Sequence, residues 1–232
     1  MTPTEPARTP ALVVRDATKS FRTGDDDVRV LDGVTLELAA GEVAVVRGPS
    51  GSGKSTLLHA ISGLDPLDAG TVTVAGTDVG TLGPAEAARF RRSELGFVFQ
   101  FFQLIPTLTA VENVAMPLVL DGVAGREADA RAADALEAVG LAGLGGRYAS
   151  ELSGGQLQRV AVARALVGEP VLVLADEPTG SLDRASGAEV SDLLHAAAAE
   201  RGAALVIVTH DPAVARPGDR NFELVDGRLR ED

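Results

Sequence analysis

The chain has 232 residues, 45% of them apolar, enough for one large domain or two small ones around a buried core. Its 21 basic residues stand against 33 acidic ones, and a net charge of −12 repels a phosphate backbone, so no nucleic-acid partner is expected. Without cysteine the chain can form no disulfide, no thiolate metal site and no cysteine nucleophile.

Residues 1–10, MTPTEPARTP, read as a flexible leader, with prolines and no apolar stretch of the kind a signal peptide needs. No later stretch approaches the ~20 apolar residues that span a bilayer, so a cytoplasmic setting is expected. Residues 11–21 and 28–48 are β-branched runs broken by TGDDD and AAGE, which predicts strands joined by tight turns. A helix follows from Gly53 to about Ser62, then a strand over 71–76. Pro84 suits the first turn of a helix reaching Glu94, and GFVF (96–99) reads as a short buried strand.

The middle third, about 101–168, has almost no strand signal. Its apolar residues recur at helical spacing, as with Ala130, Ala133, Leu136 and Val139, which predicts a helical lobe. Beyond it, the unalternating runs VLVLA (171–175) and AALVIV (203–208) flank an Ala-rich helix near 184–201. That pattern predicts parallel strands buried on both faces. The expected fold class is α/β, with one domain over 11–232.

Lysine occurs only as Lys19 and Lys54. Lys54 falls in GPSGSGKST (48–56), which matches G-x-x-x-x-G-K-[ST] after one predicted strand and at the head of a predicted helix. In such a loop the glycines let backbone amides turn inward around a phosphate. The helix start adds partial positive charge, Lys54 bridges the β- and γ-phosphates, and Ser55 can ligate Mg²⁺. A glycine-rich surface turn is the competing reading, and the strand-loop-helix context disfavours it.

Asp176 and Glu177 stand at the end of an apolar strand. Successive residues there point different ways, so Asp176 can hold Mg²⁺, directly or from behind another ligand, while Glu177 polarises an attacking water. Pro178 is expected to keep Glu177 out of the α region. His210 ends another apolar strand, where a hydrogen bond to the γ-phosphate and a plain turn histidine are both open readings. His59 and His195 are assigned to packing or surface. Gln100 ends GFVF, where it could reach Mg²⁺ or the water. Phe21 could stack on an adenine or sit in the core.

Taken in order, these residues resemble the ATP-binding subunits of ABC transporters, and the resemblance covers about residues 11–228. It assigns Phe21 to the adenine position and Gly48, Pro49, Ser50, Gly51, Ser52, Gly53, Lys54, Ser55 and Thr56 to the phosphate loop. Gln100 becomes the Q-loop glutamine, LSGGQ (152–156) the signature, SLD (181–183) the D-loop, and His210 the switch histidine. The resemblance therefore implies ATP and Mg²⁺ as cofactors. Glu177, His210, Gln100 and Lys54 are its catalytic set, and Ser55, Gln100 and Asp176 its metal set. Ser153, Gly154, Gly155, Gln156 and Asp183 join the nucleotide contacts.

The implied fold is a P-loop NTPase ATPase domain with a RecA-like core, an N-terminal antiparallel β subdomain and a helical signature subdomain. The stretches around 96–118 and 172–183 are similar to the macrolide-exporter and lipoprotein-releasing branch. This chain departs from the family's pattern at Phe21, where tyrosine is usual, at Ser181, where this branch often has asparagine, and at Ala149, where proline is common.

The resemblance implies an assembly of two copies, a homodimer facing head to tail, in which each ATP would lie between one chain's phosphate loop and the other's signature. Ser153, Gly154 and Gly155 offer hydroxyl and amide donors at a helix start, enough for a γ-phosphate already neutralised in part by Lys54 and Mg²⁺. The resemblance also implies a transmembrane permease subunit, which would hold the chain at the inner face of the membrane. The apolar residues 101–108 either dock there or pack into the lobe. A coupling ATPase of the cell-division type, moving no solute, is the alternative. A DNA-repair ATPase would need a coiled coil or zinc module that is missing here, and a P-loop kinase leaves the signature unexplained.

Overall fold

The β-branched run near the start of the chain forms β1 (Leu12–Thr23), which turns into β2 (Asp26–Leu38). The structure, a computed structural model, describes residues 10–24 and 26–232; the expected leader lies outside the described residues except for Pro10. Next come β3 (Val43–Arg47), α1 (Lys54–Ile61), β4 (Ala69–Val74), β5 (Thr77–Asp78), α2 (Pro84–Glu94) and β6 (Leu95–Phe99). Three helices then follow without an intervening strand: α3 (Ala110–Leu120), α4 (Gly125–Ala138) and α5 (Gly154–Leu166). The chain closes with β7 (Leu172–Asp176), α6 (Arg184–Arg201), β8 (Ala204–Thr209), β9 (Arg220–Val225) and β10 (Arg228–Glu231).

Two sheets result. The first, in the order β2-β1-β4-β5, is antiparallel. The second runs β10-β9-β3-β8-β7-β6, parallel except for β10. Buried on both faces, β7 and β8 feed two cores from alternate residues, as the period of two along a strand requires. Leu172, Leu174, Val206 and Val208 point to the core shared with the first sheet and α1. Val173, Ala175, Leu205 and Ile207 point to the core shared with α3, α4, α5 and α6. At about 1.5–3 kcal/mol for each large apolar side chain removed from water, these two layers hold the parallel sheet between them.

The structure corrects one sequence expectation. On α4 the buried residues are Ala128, Ala132, Ala135 and Leu136, with Val139 just beyond, whereas Ala130 and Ala133 are exposed. Steps of three residues drift around a 3.6-residue helix, so a run at constant spacing of three cannot stay on one face. Glu177 sits at φ 46, which keeps it out of the right-handed α region and places it in the sparsely populated left-handed one. Beyond the strands read from the sequence, β9 and β10 close the second sheet. Their two-residue turn, Asp226 (φ 48) and Gly227 (φ 74), has the positive φ pair of a tight hairpin. Ala75 and Gly76 make the same kind of turn between β4 and β5.

Candidate active site

Parallel strands present their C-terminal ends on one edge, where ligands of open α/β sheets bind. The register here places Arg47 opposite Thr209, Phe99 opposite Asp176, and Asp176 opposite Val208. The residues that follow these strand ends are therefore neighbours although far apart in sequence. A cleft of about 560 Å³ results, lined by Phe21, Val30, Ser50, Gly51, Gly53, Lys54, Ser55, Thr56, Gln100, Asp176, Glu177 and His210.

The loop between β3 and α1 is shaped by its glycines. Gly53, at φ 102, caps α1, and a Cβ there would lie 2.7 Å from the Val30 carbonyl oxygen. At Gly48 a Cβ would collide with the Leu224 carbonyl. Lys54 is buried, and its ammonium donates to the Gly48 and Pro49 carbonyl oxygens at 2.8 and 2.9 Å. Pro49 also accepts from the Ser52 amide.

Glu177 is held on several sides. Its carboxylate accepts from the Thr209 hydroxyl at 3.0 Å and the His210 amide at 3.3 Å, and faces His210 Nδ1 at 2.9 Å. Its own amide donates to Val208 across the sheet. A residue in a sparsely populated backbone region persists only where its surroundings over-determine it, and these contacts do so. Gln100 lies against Gly180, where a Cβ would come within 2.9 Å of the glutamine amide, and the Ser181 hydroxyl donates to the Gln100 carbonyl oxygen at 2.7 Å. Ser55, Gln100 and Asp176 all line this cleft and each can offer an oxygen. A hydroxyl, an amide oxygen and a single carboxylate suit Mg²⁺, which is held through one or two carboxylates and completes its shell with water and phosphate oxygens.

Phe21 is 40% exposed at the cleft rim, with Lys19 Nζ 5.2 Å from its ring centroid, so of the two readings for this ring the core one falls. Lys19, the other lysine, donates to the Pro66 carbonyl oxygen at 2.7 Å. His195 is buried between Ser191 and Asp219, and His59 pairs with Asp65, both away from the cleft.

Ser153, Gly154, Gly155, Gln156 and Asp183 do not line the cleft. Ser153 caps α5 in a reciprocal pair with Gln156, its hydroxyl accepting from the Gln156 amide while Gln156 Oε1 accepts from the Ser153 amide. Asp183 caps α6, accepting from the Ala185 and Ser186 amides and the Ser186 hydroxyl. The Ser186 amide, then its hydroxyl, hold that carboxyl below the ordinary range. Sequence reasoning missed Thr209, Val30 and Gln158. Thr209 could have been found as the hydroxyl just before His210 at a strand end; Val30 and Gln158 carry no local signal.

Residues 101–108 divide between the two expected fates. Leu104 packs against the helical core, and buried Asn113 pins the segment by bonding both backbone groups of Ile105 and the Leu108 carbonyl oxygen. Phe101 is 68% exposed. A groove of about 270 Å³, lined by Gln103 of the same segment, runs between Phe97 and Phe99, whose rings stack at 5.6 Å, and Met116, Pro117 and Leu120.

A phosphate loop, a strand-end carboxylate pair, a Q-loop glutamine and a helix-capping LSGGQ on this two-sheet frame define an ATP-binding cassette ATPase. The chain belongs to the ABC transporter family, whose description matches residues 31–180. Among its relatives is the lipoprotein-releasing system ATP-binding protein LolD of Chromohalobacter salexigens, 47% identical over 93% of this chain and 91% of that protein. LolD of Alcanivorax borkumensis is 47% identical over 96% of this chain and 97% of that protein. The macrolide export ATP-binding/permease protein MacB of Escherichia coli K12 is 44% identical over 95% of this chain, which spans 34% of that protein. Among solved structures, the dimeric ATP-binding cassette MJ0796 in a post-hydrolysis state bound to ADP and Pi superposes with a TM-score of 0.87. It is 40% identical over 95% of this chain and 97% of that one.

Proposed function

We propose that this chain binds ATP and Mg²⁺ in the cleft, hydrolyses ATP as one half of a two-chain assembly, and drives a separately encoded membrane permease. The observation that carries the chemistry is the meeting of Lys54, Ser55, Gln100, Asp176, Glu177 and His210 in one cleft. Lys54 has donors to turn from loop carbonyls to the β- and γ-phosphates. Phe21 offers its face to adenine. Ser55, Gln100 and Asp176 would hold the Mg²⁺, which when bound would neutralise charge on the phosphate oxygens.

Glu177 accepts the proton of the water that attacks the γ-phosphorus as the bond to ADP breaks. Its partner His210 sets a condition on that step. A neutral imidazole has one N–H, so donating it to the γ-phosphate means withdrawing it from Glu177, which leaves the carboxylate free to take the proton.

Since Ser153, Gly154 and Gly155 lie outside their own chain's cleft, they serve the γ-phosphate held by a second copy. MJ0796, solved as a dimer, supports that arrangement, and the names LolD and MacB support a membrane partner. Among the described residues no helix is long and apolar enough to cross a membrane. The exposed Phe101 and the groove lined by Gln103 are the proposed docking surface, which would hold the chain on the cytoplasmic face. We read residues 11–232 as one ATPase domain and about 101–168 as its helical part.

Glu177→Gln tests this reading. The variant should bind ATP and accumulate an ATP-dependent dimer with turnover lower by about 10² or more. Normal hydrolysis by the variant would reject Glu177 as the base. Co-purification of the native complex identifies the partner; one with few spans and a large extracytoplasmic domain would favour force transmission over solute passage.

A further inference from the structure

One turn beyond the start of α5, Gln158 is fully buried. Its Nε2 donates to the Pro178 carbonyl oxygen at 2.7 Å and to the Phe99 carbonyl oxygen at 3.2 Å. Turning the amide over would set its oxygen against two carbonyl oxygens, so the partners fix the orientation. Among the described residues its Oε1 has no hydrogen-bond partner, which leaves the two donated bonds as the polar contribution of the side chain there.

Phe99 directly precedes Gln100, and Pro178 directly follows Glu177. These backbone stretches belong to different strand ends, and one side chain from a third element joins them. The head of that same helix is Ser153. Farther along α5, Arg164 donates to the Phe102 carbonyl oxygen at 2.9 Å, so the segment after β6 is fixed to this helix at a second point.

We propose that Gln158 is a positioning residue: from α5 it fixes Gln100 and Glu177 relative to each other and to the signature serine, so that a tilt of α5 reaches both. The inference rests on Glu177 acting as the base and Gln100 as a Mg²⁺ or water ligand. Reaction geometry is sensitive enough for this to matter, since a misplacement of about 1 Å costs on the order of 10² in rate.

The test uses the full chain carrying Gln158→Met, which keeps length and apolar packing but removes both donors. Turnover should fall about tenfold or more with KM for ATP within about threefold, because the cleft walls that bind the phosphates are untouched. Amide exchange should quicken both at residues 99–102 and at 177–180, while α1 keeps its protection. Unchanged turnover, exchange that quickens in only one of those segments, or a uniform rise through the chain would overturn the proposal. Exchange needs no catalysis, so a wild-type chain without ATPase activity would sink the proposed function while the exchange result still decided the role of Gln158. Should the methionine variant not fold, Gln158→Asn, one methylene short of spanning both carbonyls, is read by the same criteria.

Discussion

At Lys54 the buried ammonium is held by two backbone carbonyls, an arrangement poised to exchange weak neutral acceptors for phosphate oxygens. Lys54→Ala should therefore abolish nucleotide binding in a fluorescent-ATP titration, and unchanged affinity would remove the phosphate-loop assignment. Residues of this kind were readable because the loop has a fixed spacing in a strand-loop-helix context, and because Asp176, Glu177 and His210 each follow an apolar strand. What could not be read was how they hold one another. The pairing of Glu177 with Thr209 and His210 crosses from one strand end to the next, and the left-handed backbone of Glu177 runs against the extended state its proline neighbour suggests. Gln158 was invisible for the same reason: its partners lie 59 and 20 residues away.

Among the elements, helix α4 separates spacing from facing. Ala132 has no exposed surface and Ala130 is open to solvent. Ala132→Leu should overpack the helical core and cost about 1–3 kcal/mol in urea unfolding, while Ala130→Leu should stay within about 0.5 kcal/mol. Equal costs would contradict the assigned face. Helix α6 adds a pH signature through its cap. The Asp183 carboxyl is held below its ordinary value of 3.8 by the Ser186 amide and hydroxyl. Its charged-cap stabilisation is thus complete above that ordinary value and is lost as pH falls through the lower folded one. The stability gap between the wild type and Asp183→Asn should accordingly narrow below about pH 4, and a gap that stays constant with pH would refute the charged cap. Most elements were legible from β-branched runs, proline at a helix start and unbroken apolar strands. The terminal hairpin escaped although Asp226 and Gly227 are a known turn pair, because the polar, half-exposed strand beside them lacks a continuous apolar run.

Over the whole molecule, the proposed phosphate site is half built on one chain. The cleft gathers both carboxylates and six of the nine expected loop residues, Ser50, Gly51, Gly53, Lys54, Ser55 and Thr56, yet Ser153 at the head of α5 stands outside it. The sequence carried this in the contrast between two glycine-bearing helix starts, one with a lysine and one without, and the proposed division of labour follows from that contrast. Two crippled chains test it together. In the Glu177→Gln background, a Lys54→Ala chain lacks a working loop and a Ser153→Arg chain lacks a working signature, so each alone should remain monomeric with ATP. Mixed, they can still make one complete site, from the loop of the second and the signature of the first. Sedimentation of the mixture with ATP should reveal a dimer absent from either variant alone. A mixture that stays monomeric, or an ATP-dependent dimer formed by the Ser153→Arg chain by itself, would contradict action across two chains.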